Sequence, residues 1–442
     1  MLTKVAAQNF KAFGESPGLT LSLLPFNLFL GQNNSGKTSA LDVVALFVQT
    51  ARERSGQTGL VWSGKLVDLG TTGEHATHRG SPSGVLSIAV EMQTPRTLLE
   101  FARQLLSESD LPAKTIGYRV SLDQTVNRYE YEFLVDGEVL VSNRLKDAPG
   151  GGNQAELDIP GFPPRSPGER FVPATTQANI FDPNLFSPGN PVPGVAKSRL
   201  LIAKTGLQTI RDVLSTRVFL LGPNRGIQKR DLTDAVTILD VGRNGEHTLQ
   251  VLSTVFAKSE HATAAAKIRQ WSDTFGLSSV AGGWAGGQEL HSGYLDRLTS
   301  TPLPLRSAGF GSQQILPIIV QLFASPEDSV VIVEEPEISL HPAAQVQLVR
   351  MFAEAAATGR QVIVTTHSQY LAMALQEEAN RSIRPTDIRV YHFSRTQDVS
   401  TASGLEVDEK GVLRGWIPSF AAVEQELLQS WMSKVHDELK RD

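Results

Sequence analysis

"FLGQNNSGKTSALDVV", residues 29–44, contains Gly31-Gln32-Asn33-Asn34-Ser35-Gly36-Lys37-Thr38, which fits the pattern G-x-x-x-x-G-K-[ST]. The run before it, "NLFLG", reads as a short buried strand stopped by Gly31. After it, "SALDVVALFVQTARER" reads as a helix. Leu41, Val44 and Val48 fall at i, i+3 and i+7, and Leu46 and Phe47 widen the apolar stripe. A glycine-rich loop between a strand and a helix can cradle phosphate. Gly31 and Gly36 let the backbone turn so that successive N–H groups point at one anion, and the helix start adds partial positive charge. Lys37 is then the residue that bridges β- and γ-phosphates, and the Thr38 hydroxyl is the Mg2+ ligand. A chance glycine-rich turn is the alternative, and the strand–loop–helix context disfavours it.

The chain has 442 residues, of which 40% are hydrophobic and 20% charged, enough for two or more packed lobes. A net charge of −5 argues against a surface coated in nucleic acid, though it allows a local basic groove. With no cysteine, disulfides, thiolate metal sites and cysteine nucleophiles are excluded. "MLTKVAAQNFKAFG" has no long apolar core of the signal-peptide kind, and no run of about 18 apolar residues predicts a membrane span. An intracellular, cytoplasmic location is the expectation.

Working outward, "KVAAQNF" and "LTLSLLPFNLFLG" read as strands broken by Gly14, Pro17, Gly18 and Pro25. "VLSIAVEM" (85–92), "IGYRVSL" (116–122), "YEYEFLV" (129–135) and "GEVLVSN" (137–143) alternate as an antiparallel meander. Residues 145–195 are dense in Pro and Gly and read as an irregular surface segment. From Ser198 to Ser300 the pattern is mostly helical. "TRVFLLGPNRG" is one strand-and-turn interruption, and "GGWAGG" (282–287) reads as a flexible turn. No fixed-period repeat and no long heptad array is present. The last third alternates: "QQILPIIVQLFA" helix, "SVVIVEEP" strand, "AAQVQLVRMFAEAAATGR" helix, "QVIVTTHS" strand, "QYLAMALQEEAN" helix, "IRVYHFSR" strand. That rhythm predicts a parallel sheet covered on both faces.

Three further stretches carry chemistry. "VVIVEEPEISLHP" (330–342) delivers Glu334 and Glu335 to the C-terminal end of a buried strand, the edge where ligands bind in such sheets. One carboxylate can hold Mg2+, directly or through water, and the next can polarise an attacking water. Two acids leaving a strand are common in themselves, but placement before Pro336 narrows the reading. "VIVTTHS" (362–368) ends a buried strand at His367, whose imidazole can reach a γ-phosphate or the attacking water. A lone His there is more often structural, but its position one strand-helix-strand unit after the acids reverses that preference. "RSAGFGSQQ" (306–314) places Ser307, Gly309, Gly311 and Ser312 before an apolar helix, a second anion site in a chain whose Lys37 already serves one γ-phosphate. An ordinary glycine-rich cap is the competing reading. The anion reading implies phosphate held between two subunits.

Phosphate loop, "SxG" signature, "VVIVEEPEISLHP" and "TTHS" occur in the order of ABC-type ATPase heads. "NFKAF", "GQNNSGKT", "LLGPNRG", "PEISLHP" and "TTHSQYL" resemble the soluble AAA-family branch that contains SMC, RecF and OLD proteins. The resemblance covers most of the chain, most strongly at 1–50 and 305–395. It implies an α/β P-loop NTPase with an ABC-ATPase-like head: a mixed sheet core, an antiparallel β-meander and a helical signature lobe. The expected division is 1–144 and 305–442 for the two halves of the head, 145–197 for the Pro/Gly-rich segment and 198–304 for the helical lobe. It implies a head-to-tail homodimer around two ATP molecules. Ser307 and Gly309 would meet the γ-phosphate bound by the other subunit's Lys37. By the same resemblance Glu334 is the Walker B acid, Glu335 the catalytic glutamate, Ser339-Leu340-His341 the D-loop and His367 the switch histidine. Glu334 stands where transporters usually carry Asp, and no Q-loop glutamine stands out; residues 66–80 occupy that region. Only 74 residues follow Ser368, so no OLD-type nuclease domain is expected, nor are SMC-type coiled coils.

His75 and His78 have metal-ligand spacing but no further ligands. "KSRLLIAK" and "GPNRGIQKR" are basic and could touch DNA phosphates, though solvated helix faces are the simpler reading. The leading expectation is an ATP-hydrolysing switch in DNA repair or anti-phage defence, working with a partner effector such as a nuclease; DNA is a further candidate partner. A slow-cycling nucleotide-dependent scaffold and a transporter ATP-binding subunit are the alternatives.

Overall fold

The structure, a computed structural model, describes residues 1–53, 59–79, 84–105, 114–126, 128–147, 153–162, 171–173, 179–187, 192, 194–227, 239–285, 289–297, 299–415, 426 and 428–433. The first two strands, β1 (Leu2–Gln8) and β2 (Leu19–Ser22), open an eight-stranded antiparallel sheet. It continues through β4 (Val85–Gln93), β5 (Thr115–Asp123), β6 (Arg128–Val135), β7 (Glu138–Asp147), β8 (Asn153–Asp158) and β9 (Phe171–Pro173) in the order β2-β1-β4-β5-β6-β7-β8-β9. A second sheet has the order β10-β14-β15-β3-β16-β17. Its members are β3 (Phe26–Gly31), β10 (Val218–Leu221), β14 (Val330–Glu334), β15 (Gln361–Thr366), β16 (Ile388–Thr396) and β17 (Val399–Leu405). All of its pairings are parallel except β16 with β17. A small antiparallel sheet joins β11 (Ser278–Ala285), β12 (Glu289–Leu295) and β13 (Pro302–Pro304).

The mixed sheet explains the continuous apolar runs in the sequence. Alternate residues of a strand point to opposite faces, and here each face meets its own core. Phe29, Val330, Ile332 and Ile363 enter one hydrophobic cluster, with the buried face of helix α1 (Lys37–Arg52). Phe26, Leu28, Val331, Val333, Val362 and Val364 enter the other. A strand covered on both sides has no polar alternation to show. Helices α7 (Pro342–Ala357) and α8 (Gln369–Glu378) carry the chain from β14 to β15 and from β15 to β16.

The N-terminal β3 lies between β15 and β16, so the two ends of the chain build one sheet. Its register sets Glu334 opposite Thr365 and Thr366 opposite Leu30. The exits of three strands therefore lie at one level, directly before the loop 31–36. Gln361 ties this sheet to the other: its side chain accepts from Leu2 N (2.9 Å) and donates to Leu2 O (2.7 Å).

Three stretches differ from the sequence reading. Residues 145–195, read as irregular, contain β8, β9 and a short 3-10 turn, Pro183–Phe186. Those strands extend the meander through main-chain pairing, which a polar stretch such as "NQAELD" does not advertise. Gly282 to Ala285, read as a flexible turn, belong to β11, paired with β12 across Gly282↔Ser292. The expected helical lobe thus includes a three-stranded sheet beside helices α4 (Thr248–Ala257) and α5 (Ala262–Thr274), while helix α3 (Gly194–Arg217) packs on α1, α2 (Arg96–Leu105) and the meander. Parts of those readings, Gly286–Gly287 and Gln228–Arg230 among them, lie outside the described residues.

Candidate functional site

The loop before α1 is built as the sequence requires. Gly36 has φ 103°, and a Cβ there would stand 2.9 Å from the Ser400 Cβ. A side chain is excluded both by the backbone conformation and by the strand behind. Gln32, Asn33 and Asn34 are exposed, while Ser35 and Lys37 are buried. Lys37 Nζ donates to the carbonyls of Gly31 (2.8 Å) and Gln32 (2.9 Å), and lies 3.2 Å from His367 Nε2. Burial lowers its pKa from the ordinary lysine value to about 8, opposed by the nearby charges of Glu335 and Glu337. The Ser35 hydroxyl is buried and has no hydrogen-bond partner among the described residues.

The two acids leave β14 in different surroundings. Glu334 is 4% exposed. Its carboxylate is met by Arg243 Nη2 at 2.6 Å and by the Thr38 side chain. Burial raises its pKa, with the charge of Asp42 adding to the rise and Arg243 opposing it. Glu335 turns out of the strand with φ 44°, a conformation costly for a residue with a side chain. Both of its backbone groups are pinned. Its N–H donates to Thr365 O (2.9 Å), and its carbonyl accepts from Arg225 Nη2 (3.0 Å). That turn aims the carboxylate at His367, whose Nε2 lies 3.1 Å from Glu335 Oε1. Lys37, Glu335 and His367 thus form one contiguous group at the strand exits, with Thr38 and Glu334 beside it.

This donor set fits nucleotide phosphate and Mg2+. The Ser35 hydroxyl needs a partner, Thr38 and Glu334 already share a hydrogen bond, and Lys37 places its cation on the loop's own carbonyls. Thr38, with Glu334, would hold the metal, and the loop N–H groups and Lys37 would hold the phosphates.

The other predicted residues lie elsewhere in the chain. Ser307 closes a 3-10 turn, Leu305–Ser307, and Gly309 caps helix α6 (Phe310–Ala324), whose first residues include Gly311 and Ser312. A Cβ at Gly311 would stand 2.7 Å from the Ser339 carbonyl, so this helix start packs on the Ser339-Leu340-His341 turn of the same chain. Ser339 has φ 63°. His341 caps α7, its Nδ1 accepting from Ala343 N at 3.3 Å. Among the described residues no hydrogen bond or ion pair joins Ser307, Gly309, Gly311 or Ser312 to the phosphate loop.

Comparison with known proteins gives this site its context. Residues 197–374 match the family described as "AAA domain, putative AbiEii toxin, Type IV TA system". Over 92% of its length the chain superposes on 98% of a solved SMC head bound to the C-terminal winged-helix domain of ScpA, with TM-score 0.50 and 13% identity. The chain shares the fold of these P-loop ATPase heads. Two further heads are similar at lower scores. The SMC head from Thermotoga maritima gives TM-score 0.43 and 12% identity, over 92% of this chain and 99% of that one. An SMC head with extended coiled coil, bound to a ScpA domain derived from Pyrococcus furiosus, gives 0.46 and 10%, over 92% and 96%. No curated protein matches the chain in sequence.

Several residues of this site were not singled out in the sequence. Arg225, in "GPNRG", is 2% exposed and donates to four carbonyls: Gly222 (2.7 Å), Glu334 (2.7 Å), Glu335 (3.0 Å) and Gln314 (3.1 Å). Burial lowers its pKa to about 10. It is therefore a buried brace and no part of a solvated basic face; the composition of a surface turn concealed it. Glu337 accepts from Thr366 Oγ1 (2.6 Å) and His367 N (2.8 Å) and so fixes the loop carrying His367. Its spacing, two residues after Glu335 in "EEPE", was the available signal. Arg243 had none. His78 hydrogen-bonds the Lys11 carbonyl through Nδ1 (2.8 Å). Among the described residues no group of three or more His, Asp or Glu could hold a metal ion, and no helix is long and apolar enough to cross a membrane.

Proposed function

We propose that the chain binds Mg2+-ATP on the loop Gly31–Thr38 and hydrolyses it, Glu335 polarising the attacking water and His367 orienting it. The observation that supports this most directly is the Lys37–His367–Glu335 group: Lys37 Nζ to His367 3.2 Å, His367 to Glu335 3.1 Å. It lies at the C-terminal ends of parallel strands, beside the N-terminus of α1. A base needs hydrogen-bond reach of the water it activates, and these distances are of that order.

The second part of the reading is an ATP-dependent homodimer. Ser307 and Gly309 are exposed, and a Cβ at Gly309 would meet nothing within 4 Å among the described residues. None of the described residues requires a glycine there, whereas a phosphate or a partner backbone approaching closely would. Closing around ATP and reopening after hydrolysis would make a switch, and we read it as one that serves DNA repair or anti-phage defence with a partner effector such as a nuclease.

The test is phosphate release and nucleotide binding by the full chain and by Glu335→Gln. The substitution keeps size and a carbonyl but removes charge and basicity. Turnover is expected to fall about 10²–10⁴-fold, the range of a general base, with nucleotide affinity retained and the ATP-bound dimer accumulating in light scattering. A Glu335→Gln protein that turns over normally removes Glu335 from this role.

A further inference from the structure

Glu334 has a cation of the chain's own. Arg243 Nη2 lies 2.6 Å from Glu334 Oε1, and the two side chains are only 18% and 6% exposed. The same carboxylate is hydrogen-bonded by Thr38, and the buried Asp42 adds a second negative charge nearby. A guanidinium here supplies the positive charge that a divalent cation between Thr38 and Glu334 would supply. The two cannot both sit on one carboxylate. Like charges held this close in a part-buried site repel, and the repulsion doubles when one of them is divalent.

Arg243 is also attached differently from Arg225. Arg225 is committed to four backbone carbonyls. Among the described residues the Arg243 side chain makes one hydrogen bond, to Glu334. Its backbone is held firmly. Its carbonyl accepts from Gly222 N (2.8 Å), Val241 N donates to Gln321 Oε1 (2.8 Å), and Asn244 O accepts from Gly226 N (3.0 Å). The side chain passes over Gly222, where an added Cβ would stand 3.4 Å from Arg243 Cγ. A fixed backbone with one polar contact at the tip permits a rotamer swing. Room to receive it exists: Arg243 lines a cleft of about 810 Å3 whose walls carry the acids Asp240, Asp212 and Glu246 and the cations Arg52, Lys65 and Arg211. Asp240 already pairs with Arg52, at the end of α1, at 3.0 Å.

We propose that Arg243 is a displaceable counter-ion, resting on Glu334 until Mg2+-nucleotide arrives and then swinging into the Asp240–Glu246 cleft. The inference rests on Thr38 and Glu334 being the Mg2+ residues. It couples metal arrival to the Asp240–His247 turn, and through Asp240 and Arg52 to the far end of α1.

The test is binding of a fluorescent ATP analogue to the full chain, titrated with Mg2+. Arg243→Gln is expected to lower the half-saturating Mg2+ concentration about tenfold, the size of one part-buried ion pair's net coupling. Arg243→Lys, which keeps the competing charge, should stay within about threefold of wild type. Without Mg2+ the Gln protein should melt lower than wild type, and Mg2+ with nucleotide should narrow the gap. Glu246→Lys reads the same equilibrium from the other side. By making the cleft hostile to a guanidinium it should raise the half-saturating Mg2+, and it serves if Arg243→Gln does not fold. Half-saturation unchanged or raised in Arg243→Gln, or unchanged in Glu246→Lys, overturns the proposal. Wild-type protein that binds the analogue at no Mg2+ concentration overturns the nucleotide reading itself, and this inference with it.

Discussion

Around the phosphate loop the charged groups find partners within their own chain, whereas the segment from Arg306 to Ser312 leaves much of its surface open. On the first side Lys37 rests on two carbonyls and His367, Glu335 on His367, Glu334 on Arg243 and Thr38, and Glu337 on the backbone of His367. On the second, Ser307 and Gly309 are exposed and Phe310 is 63% exposed. The proposed second subunit would make its contact here, over the exposed Phe310 and the open space beside Gly309. The difference is physical. Buried charge must be neutralised in the monomer or the fold fails, while an exposed polar cap can wait for a partner at little cost in stability.

The largest effect expected on the first side follows from Arg225. It links the turn after β10, the first part of α6 and the carbonyls of both acids through four hydrogen bonds. Arg225→Met keeps the volume and orphans the carbonyls, and each unsatisfied buried group costs about 1–3 kcal/mol. Some rebonding leaves an expected loss of about 3–5 kcal/mol in denaturant unfolding. A loss below about 1 kcal/mol, typical of a surface change, would mean that the strand exits do not depend on this brace and would break the contrast drawn above.

A smaller effect comes from the Lys37 ammonium, which burial holds at a pKa of about 8. The unfolded chain binds that proton up to the ordinary lysine value, so between pH 8 and about 10.4 it carries more protons than the folded chain. Lys37's contribution to stability therefore rises with pH across that window. Nucleotide binding runs the other way, because phosphate needs the charged form. ATP affinity is expected to be flat below about pH 7, about twofold weaker at pH 8 and about tenfold weaker at pH 9. Calorimetry on wild type and Lys37→Arg tests this, since the guanidinium stays charged. Equal pH profiles would show that the Lys37 charge does not govern binding.

What the sequence made legible divides along similar lines. The loop Gly31–Thr38 could be read because its chemistry is local, and β3, β14 and β15 because strands covered on both faces show as unbroken apolar runs. Glu334, Glu335 and His367 could be placed because each follows such a strand. Arg225 and Arg243 could not. They reach Glu334 from 109 and 91 residues away, and their turns look like solvated loops until the sheet closes over them. β8, β9 and β11 were missed for another reason. Their order comes from main-chain pairing with a neighbour already in place; β8 is polar, β11 rich in glycine, and β9, "FVP", too short to show alternation.

The smallest effect on the isolated subunit is expected at Ser307, and its smallness is informative. Ser307 ends a 3-10 turn and is exposed, and Gly309, two residues on, has open space around its Cα. Ser307→Arg therefore adds a long cation where the subunit itself has room, and unfolding free energy should stay within about 0.5 kcal/mol of wild type. ATP affinity of the monomer should likewise hold within about twofold, because no hydrogen bond or ion pair among the described residues ties this segment to Lys37, Thr38 or Glu335. Contact with a second subunit is another matter. A guanidinium in place of a small hydroxyl cannot let a partner's phosphate loop approach closely, so ATP-driven dimer formation should disappear in light scattering while the monomer still binds nucleotide. Glu335→Gln in the same background separates the causes. That substitution alone should accumulate dimer, and adding Ser307→Arg should return it to monomer with ATP still bound. A double variant that remains dimeric, or a Ser307→Arg protein that hydrolyses ATP at the wild-type rate, would place the site wholly within one subunit and leave the exposed Ser307–Phe310 surface to some other contact.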